Sequence, residues 1–209
     1  LEAGAQGAVQ WLQPSAASRT QVVSALREGY APLLQARDPV VALEAMSRFR
    51  VLCALREGMS GTRGLNPWIE ARLGAPGARI PIPWLVEAND ALVGLYNGDL
   101  GVSLPADGSA IWFGAGPAAR AVARTRLPAH ASAWAMTVHK AQGSEFDAVM
   151  VLLPPRPHPL VSREWLYTAR SRARQRVILY AAPEVVEAAV LALGSRHSGL
   201  ADRLGEAGA

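Results

Sequence analysis

Thr137-Val138-His139-Lys140-Ala141-Gln142-Gly143-Ser144-Glu145-Phe146-Asp147, followed at once by Ala148-Val149-Met150-Val151-Leu152-Leu153, is the stretch on which the reading of this chain turns. The second half is unbroken apolar sequence, the texture of a strand buried on both faces of a parallel sheet. Ala135 to Val138 also has strand character, so the polar residues between the two runs form a loop at a sheet edge. In that loop Thr137 and His139 can hydrogen-bond a nucleic acid backbone. Gly143 lets the chain turn closely, and Glu145 can accept from a sugar hydroxyl. An ordinary polar loop between a helix and a strand would have the same composition.

Downstream, the pattern predicts a helix over Arg163 to Ala173, a strand over Val177 to Ala181, and a last helix from Pro183 to Leu193 with Val186, Val190 and Leu193 on one side. Arg163, Arg170, Arg172, Arg174 and Arg176 concentrate positive charge there, a local field able to hold phosphates. A planar, permanently charged guanidinium suits the stabilisation of charge on γ-phosphoryl oxygens. A solvated basic face is the alternative.

Upstream, Val9 to Leu12 reads as a short strand, and Ser18 as the cap of a helix through Val22, Leu26 and Tyr30. A second helix starts at Pro39 and carries Val40, Leu43, Met46 and Phe49, giving way to a strand from Arg50 to Leu55. That strand delivers Arg56 to its C-terminal end, where open α/β sheets bind ligands, although a surface pair with Glu57 is an equal reading. Gly58, Gly61 and Gly64 loosen the next loop, and Asn66-Pro67 opens a short helix through Ile69 and Leu73. Between about Arg79 and Ala133 the texture changes to short alternating stretches, predicting small antiparallel strands. The clearest hairpin lies between Leu92 and Leu104 around Asn97-Gly98, and Trp84, Trp112 and Phe113 are candidates for a small barrel core.

Composition narrows the classes. The chain has 209 residues and 50% hydrophobic content, enough for a core. Its 21 Lys and Arg against 17 Asp and Glu give +4, too little to predict a nucleic acid from net charge alone, and Lys140 is the sole lysine. One cysteine, Cys53, excludes an internal disulfide or a cysteine-based zinc site and reads as a core residue; a cytoplasmic setting is expected. His130, His139, His158 and His197 lack metal-ligand spacing, and no nucleophile-base pair stands out. No apolar run approaches the roughly 20 residues of a membrane span. No G-x-x-x-x-G-K-S/T loop occurs, so a complete ATP site cannot be built by that route. The opening on Leu1 rather than Met is expected of a piece of something longer, and processing would give the same start.

Four blocks, in order and spacing, resemble the RecD family of superfamily 1 DNA helicases, the alpha subunits of exodeoxyribonuclease V. They are Leu52-Cys53-Ala54-Leu55-Arg56-Glu57-Gly58, Tyr96-Asn97-Gly98-Asp99-Leu100-Gly101, Thr137 to Phe146, and Leu166-Tyr167-Thr168-Ala169 with Arg172-Ala173-Arg174. The resemblance covers about Ala42 to Arg203. It implies a second RecA-like domain with a parallel sheet, interrupted by a small SH3-like β-barrel insert: residues 1–78 and 134–209 form the RecA-like part and 79–133 the insert. It implies Arg56 as the motif IV arginine and Arg172 as the motif VI finger, both reaching the γ-phosphate. Gly143 and Glu145 would face the nucleotide, and Thr137 and His139 the DNA. It implies an ATP-dependent 5′ to 3′ helicase subunit in a helicase-nuclease for double-strand break repair and recombination. ATP and Mg2+ would be bound mainly by a preceding RecA-like domain, and the partners would be single-stranded DNA and RecB-like and RecC-like subunits, with no membrane. The chain departs from the family in having Arg170-Ser171 before the finger arginine and Ala141 where serine is common. A noncatalytic DNA-binding or scaffolding subunit, a stand-alone RecD-like helicase and a conjugative relaxase are the rival expectations.

Overall fold

The computed structural model describes residues 8–75 and 78–192. Strand β1 (Ala8–Leu12) leads into α1 (Ala16–Gln35) and α2 (Pro39–Ala45), then β2 (Phe49–Cys53) and α3 (Thr62–Leu73). Five short strands follow: β3 (Ile82–Val86), β4 (Leu100–Leu104), β5 (Asp107–Phe113), β6 (Arg120–Ala123) and β7 (His130–Ser132). The chain then returns through β8 (Ala135–Thr137), β9 (Phe146–Leu152), α4 (Arg163–Arg170), β10 (Ala173–Tyr180) and α5 (Pro183–Leu191).

Strands β1, β10, β9, β2 and β8 form one sheet in that order, and every pairing is parallel. Parallel neighbours require crossovers, which place helices on both faces. Val51, Cys53, Met150, Leu152 and Ile178 point to one side, where Leu26, Tyr30 and Leu33 of α1 and Ile69 of α3 cover them. Leu52, Val149, Val151 and Val177 point to the other, under Trp165 and Ala169 of α4 and Val185 and Ala189 of α5. This double covering is why β2 and β9 read as continuous apolar runs. Cys53 is fully buried, as expected of a core cysteine.

Local chemistry sets the helix starts. The cap of α1 is Ser15 rather than the expected Ser18. Ser15 accepts from the Ser18 backbone N–H while the Ser18 hydroxyl accepts from that of Ser15, a reciprocal box in which Ser18 is the third helical residue. Asp38 caps α2 ahead of Pro39, and that helix ends before Phe49, which belongs to β2. Helix α3 begins at Thr62, so Pro67 lies inside it instead of opening it. Asn66 is buried on α3, donates to the carbonyl of Ala135 at 3.2 Å and accepts from the Ala135 N–H at 2.6 Å. The amide takes the place of a further strand beside β8, the sheet's edge. Residue Leu193 of the expected last helix lies outside the described residues.

The second sheet has the order β6-β5-β4-β3-β7, all antiparallel. It has its own core of Trp84, Val86, Leu95, Ile111, Phe113 and Val122. Trp112 packs instead against the core beneath α1 to α3. The expected hairpin around Asn97-Gly98 differs in its arms. Residues 90–98 form a compact loop, Gly98 has φ +106°, and β4 pairs with β3, Leu85 opposite Leu100.

Candidate nucleotide and strand interface

The loop between β8 and β9 crosses the whole sheet. Thr137 sits level with Cys53, near the C-terminal end of β2, whereas Ala148 sits level with Phe49, at its beginning. Phe146 lies two residues earlier still. At about 3.3 Å per residue, the loop starts and ends on opposite edges of the sheet, roughly 20 Å apart along the strands. One short segment therefore touches both edges.

At the N-terminal edge the loop meets the turn between α4 and β10. The Phe146 N–H donates to the carbonyl of Arg172 at 2.8 Å. Arg172 is half-buried and donates from Nη1 to the Ser144 carbonyl (3.3 Å), from Nε to the Thr168 carbonyl (3.3 Å) and from Nη2 to Ser171 Oγ (3.1 Å). These contacts fix the plane of a group with five N–H donors and leave two of them unassigned. Glu145 is exposed and accepts from Arg174 Nε at 3.1 Å, and Arg174 also lies 3.8 Å from Asp147. Gly143 has φ +84°, a left-handed turn that a side chain would strain. Arg172 and Glu145 thus share one edge, and Gly143 lies in the crossing loop two residues before Glu145. Arg174 is the residue there that sequence reasoning left unassigned, although it stood in the basic cluster.

At the C-terminal edge lie Thr137, His139 and Arg56. Thr137 is buried, and its Oγ1 accepts from the Lys140 N–H at 3.4 Å. His139 is exposed. Arg56 follows β2 in a pinned turn, where its carbonyl accepts from the Arg63 N–H and that of Leu55 from the Thr62 N–H. Its guanidinium pairs with Glu87 at 2.9 Å, and Lys140 Nζ bonds Asn97 Oδ1, so the insert reaches this edge twice. Arg56 and Arg172 belong to one rigid sheet and stand at its opposite edges. The register of β2 against β9, and of β9 against β10, sets the two guanidinium groups apart along the strands, whereas the resemblance expects both at one γ-phosphate.

Beneath the site, Arg50 is completely buried. It donates to the carbonyls of Ala133 and Met46, the latter at 3.2 Å, and its charge lies 5.4 Å from the Phe146 ring centroid. Burial pushes its pKa below the ordinary arginine value. It ties the end of the crossing loop to the joint between β7 and β8, and nothing in its strand-like sequence context announced this. No group of three or more His, Cys, Asp or Glu converges among the described residues.

An all-parallel sheet with helices on both faces, and an arginine turn docked on a sheet-crossing loop, fit a RecA-like helicase domain. The UvrD-like helicase C-terminal domain family matches residues 132–180, which hold both the loop and the turn. The chain is RecD-like over most of its length. It is 41% identical over 197 residues to the RecBCD enzyme subunit RecD of Mycobacterium tuberculosis, covering 90% of this chain and 34% of that protein. With the RecBCD enzyme subunit RecD of Haemophilus influenzae it shares 36% over 160 residues, covering 72% and 24%. The ATP-dependent RecD2 DNA helicase of Deinococcus radiodurans is 33% identical over 136 residues, covering 61% and 19%. The chain spans about a third of the length of the mycobacterial relative.

Proposed function

We propose that this chain is the second RecA-like part of an ATP-dependent 5′ to 3′ DNA helicase subunit of the RecBCD kind, acting on DNA ends in the cytoplasm during double-strand break repair. The observation that carries the reading is the single loop joining the two edges of the sheet. Gly143 and Glu145 at one end would face nucleotide, and Thr137 and His139 at the other would face single-stranded DNA. A change of grip on nucleotide then moves residues that grip the strand.

At the nucleotide edge the donor set fits a polyphosphate: Arg172 is held in plane with N–H groups to spare, Arg174 stands exposed beside it, and the Glu145 carboxylate can accept from a ribose hydroxyl. ATP, when bound with Mg2+, supplies the γ-phosphoryl group on which charge develops in hydrolysis, and Arg172 would stabilise that charge. A preceding RecA-like domain would hold most of the ATP and the metal. RecB-like and RecC-like subunits are the proposed partners. Arg56 belongs with Thr137 and His139 on the strand side in this reading.

Residues 1–78 and 134–209 are read as one RecA-like unit interrupted by 79–133. The membership of the two sheets supports this division, since all five antiparallel strands fall inside the interruption. The insert is read as the SH3-like subdomain, on the strength of its five strands and its separate core.

The test is Arg172→Ala in the full-length parent with its partner subunits. DNA-stimulated ATPase is expected to fall about a thousandfold or more, with affinity for single-stranded DNA changed only a few-fold. Near-normal ATPase in that variant overturns the assignment.

A further inference from the structure

The C-terminal edge of the parallel sheet carries, on the side covered by α1 and α3, an apolar cleft of about 250 Å3 that the nucleotide and strand residues above leave without a role. Its walls include Leu152 at the end of β9, Tyr180 at the end of β10 and Trp68 of α3, with Met59 and Ser60 at the rim and Arg19 at the mouth. From this cleft and its position, we infer a pocket for one nucleobase of the single-stranded DNA, an inference that rests on the strand-facing reading of this edge.

Three observations support it. The turn after β2 carries Arg56 and, three residues on, Met59, which is 77% exposed, so the cation and the apolar rim belong to one pinned loop. Arg56 and Thr137 line a separate hollow, and the loop from Arg56 to Ser60 contributes to both. Its size suits a planar base, and its aromatic and aliphatic lining offers surface against any base face without reading sequence. Arg19, exposed on the first turns of α1, bonds its guanidinium only to the Ser15 carbonyl (3.4 Å) among the described contacts, which leaves donors for a neighbouring phosphate. A strand backbone held at Arg19 and at the loop that carries Arg56, with one base turned into the cleft, satisfies both kinds of surface.

The experiment measures binding of the 209-residue chain to an oligothymidylate and to an abasic oligonucleotide of the same length, by fluorescence anisotropy at fixed low salt. The abasic strand keeps the phosphates and removes the bases. The oligothymidylate is expected to bind about tenfold more tightly. Ser60→Trp, which fills the cleft from its rim without cutting into the core, is expected to remove that preference and leave abasic binding unchanged. Retained abasic binding also reports that the variant is folded. If Ser60→Trp retains abasic binding and keeps the thymidylate preference, the pocket is overturned while strand binding stands. If neither strand binds the wild-type chain, the strand-facing reading falls and the pocket with it.

Discussion

Arg174 Nε lies 3.1 Å from Oε2 of Glu145, twenty-nine positions earlier in the chain, and this ion pair joins the sheet-crossing loop to the start of β10. Both side chains are more than half exposed, at 56% and 57%. Water screens such a pair, and its contribution to stability is about 0 to 1 kcal/mol. Glu145→Gln is therefore expected to leave the urea midpoint of unfolding within about 0.5 kcal/mol of wild type. On the proposed reading, the same substitution in the full-length parent is expected to weaken nucleotide affinity. A large loss of stability would show that the carboxylate is structural, and an unchanged nucleotide affinity would remove it from the site.

Asn66 tests how the edge strand is held. Its amide serves both the N–H and the carbonyl of Ala135, inside the protein, where no water can replace it. Asn66→Ala leaves two buried backbone groups unpaired and is expected to cost about 2 to 4 kcal/mol in urea denaturation. Because β8 leads directly into Thr137, the variant should also lower affinity for single-stranded DNA. A cost below about 0.5 kcal/mol would mean that β8 finds another partner.

Gly29 inverts a usual expectation. Glycine within a helix normally costs about 0.5 to 1 kcal/mol relative to alanine. Here a Cβ would stand 2.5 Å from Cγ of Phe49, whose ring packs edge-on against Tyr30 at 5.0 Å. Gly29→Ala is expected to destabilise by about 1 to 3 kcal/mol. Adding Phe49→Leu should recover part of that loss, and a simple gain in stability from Gly29→Ala alone would show that the ring moves aside freely.

Much of the parallel sheet was legible because doubly buried strands leave unbroken apolar runs, and β2 and β9 do. The boundary of α1 was displaced because Ser15 and Ser18 are chemically equal, and only geometry decides which is cap and which is third residue. Trp112 was assigned to the insert's core from its neighbours, yet alternation along β5 turns it to the opposite face from Ile111 and Phe113. The separation of Arg56 from Arg172 is a property of strand register, and local sequence does not encode register between strands almost a hundred residues apart. Arg50 was invisible for the opposite reason: a charged residue inside an apolar strand looks like an interruption until its carbonyl partners are known.

Cys53 and Tyr30 make the stability sensitive to alkali. Burial raises the Cys53 thiol from 9.0 to about 12, and burial raises the Tyr30 phenol from 10.0 to about 12 despite the nearby charge of Arg50. Both are acids whose folded pKa exceeds the unfolded value, so the folded state holds its protons more tightly. Their contribution is complete below about pH 9 and is lost as pH rises towards 12. The urea midpoint is accordingly expected to fall steadily between pH 9 and pH 11, and Cys53→Ala should flatten part of that fall. Arg50, lowered by burial, acts with the opposite sign, so the difference between wild type and Cys53→Ala isolates the thiol. The same burial should keep Cys53 unreactive towards a thiol reagent at pH 8 until urea unfolds the chain. A midpoint that holds or rises from pH 9 to 11, or a thiol that reacts at the rate of free cysteine in the native protein, would place Cys53 outside the core that β2 and β8 build around it.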